Sequence, residues 1–320
     1  MSRPGRRVLV TGGAGFIGSH VADAYLARGD QVWVVDNLSS GRLENVPRNS
    51  IFLEMDIRDQ GIRKLFRDVR FDLVNHHAAQ IDVRVSVSDP RYDAEVNLLG
   101  LLNLLEGARE MGAGRFVFIS SGGVVYGEPE EFPTPESAPK FPLSPYGVTK
   151  LTGELYLNYY RRVHGLDYVA LRYGNVYGPR QDPHGEAGAV AIFSSRLLAG
   201  EPLTIFGDGE QTRDYVFVGD VVTANLVASD LPMGSDGGMD SVAYNVGTGR
   251  GISVNLLAET LEEVAGASTG RVHEPARAGE LRRSRLDTGR LEARGWACES
   301  TLEEGLRETF QHIAKGRGLA

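Results

Sequence analysis

A doubly wound parallel α/β sheet with a smaller C-terminal lobe is the fold class this 320-residue sequence predicts, on three observations. Short apolar runs alternate with helix-like segments through the first half of the chain. Glycines at 12, 15 and 18 stand between the first such run and the first helix-like segment. Tyr146 and Lys150 lie four apart at the start of another apolar-periodic run, so on a helix a phenol and an ammonium would share a face. A cation held beside a phenol favours the phenolate, which makes a proton-transfer group for neutral pH. Such pairs are common on surfaces, and this one gains weight only if a cofactor and a substrate sit beside it.

The first predicted strand is Arg7–Val10, and Thr11-Gly12-Gly13-Ala14-Gly15-Phe16-Ile17-Gly18 leads from it into a helix expected over Ser19–Arg28. Gly12 allows the tight turn, Gly15 lets a pyrophosphate approach the backbone, and Gly18 lets helix pack on strand. The helix N-terminus offers phosphates free N–H groups and a positive dipole end. A second strand, Gln31–Val35, ends at Asp36, whose carboxylate suits adenosine ribose hydroxyls and repels a 2′-phosphate. The combination points to a dinucleotide site that prefers NAD to NADP. Ile51–Leu53 is a third strand ending near Asp56 and Ile57, where adenine contacts would fall. A helix over Asp59–Val69 and a strand over Asp72–Asn75 lead to His76-His77-Ala78-Ala79-Gln80. Adjacent strand residues point to opposite faces and no acidic partner has ligand spacing, so this turn is read as lining the cofactor groove, with no metal. A long helix over about Pro90–Met111 carries Asn97, and a strand over Arg115–Ile119 delivers Ser120-Ser121-Gly122-Gly123.

Five prolines between Glu128 and Pro145 (Pro129, Pro133, Pro135, Pro139, Pro142) make that stretch a surface loop feeding the Tyr146 helix. A strand over Tyr168–Arg172 then reaches Tyr173-Gly174-Asn175-Val176, after which the alternation weakens. The expected division is a dinucleotide domain of 1–175 plus 216–246 and a substrate lobe of 176–215 plus 247–320, ending in a helix over Leu302–Lys315. Val216–Val218 and Ala243–Val246 are expected to return to the main sheet, with Met233–Asp240 a mobile loop.

Composition bounds the partners. With 42% hydrophobic and 24% charged residues the chain has the make-up of a soluble globular protein. A net charge of −8 argues against nucleic acid or an anionic membrane as partner. The single cysteine, Cys298, precludes an internal disulfide and fits a reducing compartment. No apolar run reaches the ~18 residues that span a bilayer, and the N-terminus lacks a signal-peptide core, so a cytoplasmic location is expected.

Taken together, the glycine motif at 11–18, Asp36, Asn97, the serines at 120–121 and Tyr-x-x-x-Lys at 146–150 make nearly the whole chain resemble the extended short-chain dehydrogenase/reductase superfamily, with a Rossmann-type domain. Within it the sequence is most similar to nucleotide-sugar epimerases of the UDP-glucose (galactose) 4-epimerase type. The stretches that carry this are Asp36-Asn37-Leu38-Ser39-Ser40-Gly41, Ser144-Pro145-Tyr146-Gly147, Leu171 through Arg180, Ile205-Phe206-Gly207-Asp208-Gly209 and Arg213-Asp214-Tyr215-Val216.

The resemblance implies tightly held NAD lined by Gly12, Gly15, Phe16, Ile17, Gly18, Asp36, Asn37, Ser39, Ser40, Gly41, Asp56 and Ile57 at its adenosine and phosphate end. At the nicotinamide end it implies His77, Ala78, Ala79, Gln80, Asn97, Ser120, Tyr146, Lys150, Tyr173 and Val176. Tyr146 would act as base on the sugar's 4-hydroxyl, with Lys150 lowering its pKa; the 4-keto sugar would turn and be reduced from its other face. Arg213 and Arg277 would clamp the UDP diphosphate, a task suited to guanidinium forks, beside Asn175, Val190, Thr204, Phe206 and Glu280. A homodimer through the helices near 90–111 and 146–164 is likewise implied.

The chain departs from the pattern at one catalytic position. Many relatives place a serine or threonine four residues before the tyrosine of this loop; counting back from Tyr126, that position is Gly122. Ser121 is expected to substitute, with Gly122 and Gly123 letting the backbone bring its hydroxyl to the sugar, although Tyr146 could also suffice alone. Gly122, Gly123 and Val124 provide no carboxylate, whereas dehydratases of this superfamily need an acid there to protonate the leaving hydroxyl. Ser284 occupies the place where a bulky tyrosine closes the sugar pocket in strict glucose/galactose enzymes, so tolerance of a 2-acetamido group is expected. UDP-glucuronate epimerisation and a non-catalytic NAD-binding scaffold are the rival readings.

Overall fold

The computed structural model describes residues 5–183, 188–233, 237–276 and 281–318. Its central sheet takes in β1 (Arg7–Thr11), β2 (Gln31–Asp36), β3 (Ile51–Glu54), β4 (Leu73–His76), β5 (Arg115–Ser121) and β6 (Tyr168–Tyr173). All pair in parallel in the order β3-β2-β1-β4-β5-β6, with Ala243–Val246 parallel outside β6. Side chains alternate between the faces, as the pleat requires. Val8, Val10, Val117 and Ile119 enter one apolar cluster, while Leu9, Phe116 and Phe118 enter the other. Burial on both faces is why these strands read in the sequence as nearly unbroken apolar runs.

Helices cover the two faces. They begin with α1 (Phe16–Ala27), α2 (Gly61–Asp68), the short α3 (Val83–Ser88), α4 (Pro90–Ala94), α5 (Leu101–Met111), α6 (Gly122–Val125) and α7 (Pro145–His164). The first helix starts three residues earlier than the sequence suggested. Ser19 N–H donates to Gly15 O, so Gly15 is the cap and Gly18 lies inside the first turn. The long helix expected over 90–111 is present but is interrupted by a π turn, Glu95–Gly100, that carries Asn97. At the head of α7, Ser144 Oγ accepts from Gly147 N–H and Pro145 takes the first position, where a missing N–H is harmless.

The smaller lobe is built from β7 (Asn175–Tyr177), α8 (Ala189–Ala199), β8 (Leu203–Phe206), β9 (Thr212–Arg213), β10 (Tyr215–Phe217), β12 (Ile252–Ser253), α10 (Val254–Ala265), β13 (Arg271–Glu274) and α12 (Leu302–Gly316). Between these segments, α9 (Val218–Asp230) and β11 (Ala243–Val246) return to the main sheet, and α11 (Gly289–Glu292) precedes α12. The lobe has its own core of Val190, Phe193, Leu203, Ile205, Leu257 and Leu306.

Three expectations are corrected here. Of the two strands expected to rejoin the main sheet, only β11 does so; β10 pairs in parallel with β7, a contact between three-residue strands that leaves no periodic trace in the sequence. Residues 289–298 do not belong with the lobe's core: Leu291 and Trp296 pack into the main-sheet cluster, and Trp296 Nε1–H donates to Asp220 O at 3.0 Å. Of the loop expected to be mobile, 234–236 lie outside the described residues, while Asp240 is anchored by Lys140 and Arg172.

Candidate active site

Because the main-sheet strands run in parallel, their carboxyl ends lie along one edge, where crevices for ligands form. At that edge the β1–α1 turn is a cradle that side chains would fill. A Cβ on Gly12 would stand 2.5 Å from Ala78 N, and one on Gly18 2.2 Å from Gly12 O. The helix α1 begins at Gly15 with no side-chain cap and no acidic residue in its first turn, leaving the N–H groups of Phe16 and Ile17 and the positive dipole end for an anion. Asp36 closes the cradle: its Oδ2 accepts from Ala14 N–H at 3.0 Å and its Oδ1 from Leu38 N–H at 2.8 Å. Burial pushes this carboxyl above its ordinary value. Gly41 packs against it so closely that a Cβ would lie 2.8 Å from Asp36 Oδ1. These features fit a dinucleotide with its pyrophosphate at the helix end.

Farther along the groove, Asn37 Nδ2 donates to Asp56 Oδ2 and Asn37 Oδ1 accepts from Ser39 N–H, beside Ser40. The Arg58 guanidinium holds Asp56 down to about 2. Ile57 has its side chain in the core, and its carbonyl accepts from Asn103 Nδ2 at 2.8 Å. At the other end, His77 N–H and Ala78 N–H bond Thr11, and His77 Nε2 is buried with no hydrogen-bond partner among the described residues. Burial, with Lys150 nearby, pushes the His77 imidazole down to about 3, so it is neutral. Ala79 and Gln80 follow, and the Asn97 side-chain amide accepts from Gln80 N–H through Oδ1 and donates to Gln80 O through Nδ2, at 2.9 Å each, tying this turn to the π turn. The Tyr173 phenol is buried in the core and accepts from Asn225 Nδ2 at 2.6 Å. Val176 stands nearby on β7, partly buried against the same cluster.

Lys150 lies almost wholly buried, its Nζ donating to Ile119 O at 3.0 Å and standing 5.7 Å from the centre of the Tyr146 ring. The helix α7 therefore delivers phenol and ammonium together, as their spacing predicted. The two serines are not equivalent. Ser120 Oγ–H donates to Glu154 Oε1 at 2.6 Å in the interior, whereas Ser121 starts α6 without a side-chain bond to it. Gly122 has a packing reason as well: a Cβ there would come within 2.7 Å of Leu286 Cδ1.

Behind these groups lies a buried ion pair that the motif reading missed. Arg172 bonds Glu154 through Nε and NH2 at 3.0 and 2.6 Å, both side chains fully buried. The same guanidinium donates to Tyr126 Oη, Glu136 O and Asp240 Oδ1. Two signals were available in the sequence: Glu154 follows Lys150 by one helical turn, and a charge stands inside the apolar run Tyr168–Tyr173.

On the lobe side, Asn175 N–H bonds Asp214 O at 2.7 Å. The Asp214 carboxylate, also missed, is buried and gathers N–H groups from Thr248, Gly249 and Leu286. Arg213 lies on β9 and Phe206 on β8; Thr204 is bonded by Arg196, and Val190 is buried on α8. Phe206, Gly207, Gln211 and Leu281 line a cavity of about 260 Å³. Arg277 and Glu280, expected beside it, lie outside the described residues. Ser284 is buried on a strand-like segment laced on both sides. Thr212 N–H bonds Arg282 O and Ser284 N–H bonds Thr212 O, while Thr134 N–H bonds Arg285 O and Asp287 N–H bonds Thr134 O.

Comparison with known proteins agrees with this geometry. A model of the NAD dependent epimerase/dehydratase family matches residues 8–247. A UDP-glucose 4-epimerase from Mycolicibacterium smegmatis is 48% identical over 311 residues, covering 95% of this chain and 97% of the relative. The crystal structure of a Thermotoga maritima UDP-glucose 4-epimerase with UDP-glucose superposes with a TM-score of 0.93 at 48% identity, covering 97% of this chain and 99% of that one. That of a Thermus thermophilus UDP-glucose 4-epimerase in complex with NAD gives 0.90 at 48% identity, covering 98% of this chain and all (100%) of that one. With the glycine cradle, Asp36 and the Tyr146–Lys150 pair at one sheet edge, the chain belongs to the NAD dependent epimerase/dehydratase family.

Proposed function

We infer that the chain is an NAD-dependent UDP-hexose 4-epimerase, interconverting UDP-galactose and UDP-glucose through a transient 4-keto sugar. The observation that carries this is the Tyr146–Lys150 pair beside the cradle, in a site whose Gly122–Val124 turn holds no carboxylate for dehydration. When bound, NAD supplies the oxidation at the sugar's C4 and its reversal, so no net redox change results. Tyr146 takes the proton from the 4-hydroxyl and gives it back after the sugar has turned. Lys150, held by the Ile119 carbonyl, stabilises the phenolate by its charge. Ser121 offers a hydroxyl to the 4-oxygen, and Arg213 with Arg277 takes the diphosphate.

Buried, small Ser284 supports tolerance of a 2-acetamido group in the sugar pocket. Leu155, Tyr159 and Val163 form an exposed apolar stripe along α7, with Leu99 exposed on the π turn, which supports a homodimer through these helices. No helix among the described residues is long and apolar enough to cross a membrane, and the single free cysteine suits the cytoplasm.

The test is to incubate purified protein with UDP-galactose, and separately with UDP-N-acetylgalactosamine, and follow the 4-epimers by chromatography without added NAD. Conversion of the first supports epimerase chemistry with retained cofactor. Failure of both, even with NAD supplied, would refute it.

A further inference from the structure

Asp93 is a fully buried carboxylate that the chemistry above leaves unused. It stands at the end of α4, next to the π turn, and draws three neutral donors together. Gln80 Nε2 donates to Oδ1 at 3.0 Å, Asn97 Nδ2 to Oδ1 at 3.1 Å, and Thr149 Oγ1 to Oδ2 at 2.7 Å. Each donor belongs to a different piece of the site. Gln80 is the last residue of the turn after β4, with its main chain already bonded to Asn97, and its side-chain oxygen accepts from Asp82 N–H. Thr149 lies in the first turns of α7 and reaches the carbonyl of Tyr146 at 3.0 Å. Its single proton has two possible acceptors, and the charged one at shorter distance takes it.

We propose that Asp93 is a positioning residue that sets the register between the cofactor turn 77–80 and the catalytic helix α7. Removing a buried carboxylate from water is unfavourable unless donors surround it, and here the surrounding donors are the groups whose spacing the reaction depends on. On the proposed reading the UDP is held in the other lobe, by Arg213 on β9 beside Phe206 on β8, so a slip of this register changes the reacting distance without changing how UDP is held. This rests on the epimerase reading.

The experiment compares Asp93→Ala and Asp93→Asn holoenzymes with wild type on UDP-galactose. In Asp93→Ala each donor keeps a second partner, since Gln80 Nε2 still reaches Asp82 O, Asn97 Nδ2 still reaches Gln80 O and Thr149 still reaches Tyr146 O. The fold is therefore retained while the common acceptor is lost. Because ångström-scale misplacement can lower turnover by about 100-fold, kcat should fall by about ten- to a hundredfold in Asp93→Ala. KM should stay within about twofold, as interactions common to ground and transition states are intact. The amide of Asp93→Asn keeps an oxygen for Gln80 and Asn97 and turns its NH2 to Thr149, which then donates to Tyr146 O; kcat should return to within about threefold of wild type. Turnover of Asp93→Ala equal to wild type, a loss confined to KM, or an amide variant no better than alanine would each overturn the proposal.

Should Asp93→Ala fail to fold, Thr149→Val, close in shape and lacking the hydroxyl, should show the same kcat loss at unchanged KM, and wild-type turnover there would overturn it equally. Inactive wild type would instead sink the epimerase reading. Register would then be judged by NAD content after gel filtration: loss in Asp93→Ala with retention in Asp93→Asn supports it, and equal content refutes it.

Discussion

Glu154→Gln is the most informative test of what holds the catalytic edge together. The carboxylate takes two hydrogen bonds from Arg172 and one from Ser120, and neither member of the ion pair reaches solvent. The amide would keep one acceptor but set its NH2 against guanidinium donors, breaking the two-point contact. Removing one partner of a buried pair typically destabilises by about 3–5 kcal/mol. Here Arg172 is not stranded, because Asp240, with its side chain 34% exposed, still accepts from NH2. The lower figure, about 3 kcal/mol, is therefore the expected loss. At about 2.1 cal/mol/K per residue the unfolding entropy of 320 residues is about 0.67 kcal/mol/K, so Tm should drop by roughly 4–5 °C. Differential scanning calorimetry of the NAD-loaded protein near pH 7.5 reads this directly. Lys64→Ala, which removes a solvent-exposed pair with Asp68, serves as control and should shift stability by less than about 1 kcal/mol. A Glu154→Gln variant melting within a degree of wild type would refute the view that this pair anchors β6 to α7.

Other outcomes follow from the same geometry. Tyr146→Phe should lower kcat by about 10²- to 10⁴-fold while leaving Tm and bound NAD unchanged, since only the proton-transfer oxygen is removed. Ser121→Ala should lower turnover by about tenfold or more; a smaller loss would mean Tyr146 handles the proton alone. Ser284→Tyr should abolish conversion of UDP-N-acetylgalactosamine and spare UDP-galactose, and equal loss of both would sink the pocket-size argument. The depressed His76 and His77 imidazoles set a pH dependence. Unfolded histidines bind protons near pH 6.5, whereas His77 folded binds only near 3, so stability is full above about 6.5 and declines as pH falls toward 3. His77 contributes about 1.4 kcal/mol per pH unit within that window and the buried His76 acts in the same direction, so urea midpoints should fall clearly between pH 7.5 and 5.5. Midpoints unchanged over this range would contradict neutral burial of the pair.

Much of this architecture was legible in the residues themselves. The strands of the main sheet bury both faces, so Arg7–Val10, Gln31–Val35 and Tyr168–Arg172 stand out as apolar runs without any partner being known. The glycines at 12 and 18 and the Tyr146–Lys150 spacing are local geometry, and local geometry is written in adjacent residues. What escaped is long-range. Asp93 meets Thr149 across 56 positions and Arg172 meets Glu154 across 18, and neither carboxylate stands out before the chain is folded. Strand β10 is too short for an alternating pattern. The packing of Trp296 on the main sheet depends on a carbonyl of α9 that no spacing rule connects to it. Glycine at 122 looked like a lost catalytic side chain until Leu286 was seen to occupy the space.

The laced segment through Ser284 bears on how a reactive ketone is contained. Four main-chain hydrogen bonds join it to Thr134 on one side and Thr212 on the other, so it stitches the proline-rich loop over the catalytic helix to the strand that carries Arg213. In the proposed reaction a 4-keto sugar has lost only its C4 stereocentre and must turn before reduction, yet an escape at that moment would leave the enzyme with spent cofactor. On the proposed epimerase reading, tying both segments to one shared strip keeps them from parting, without breaking that seam, while the sugar swivels on its diphosphate tether. Fidelity, on this view, resides less in the groups that do the chemistry than in backbone that never touches the reacting carbon.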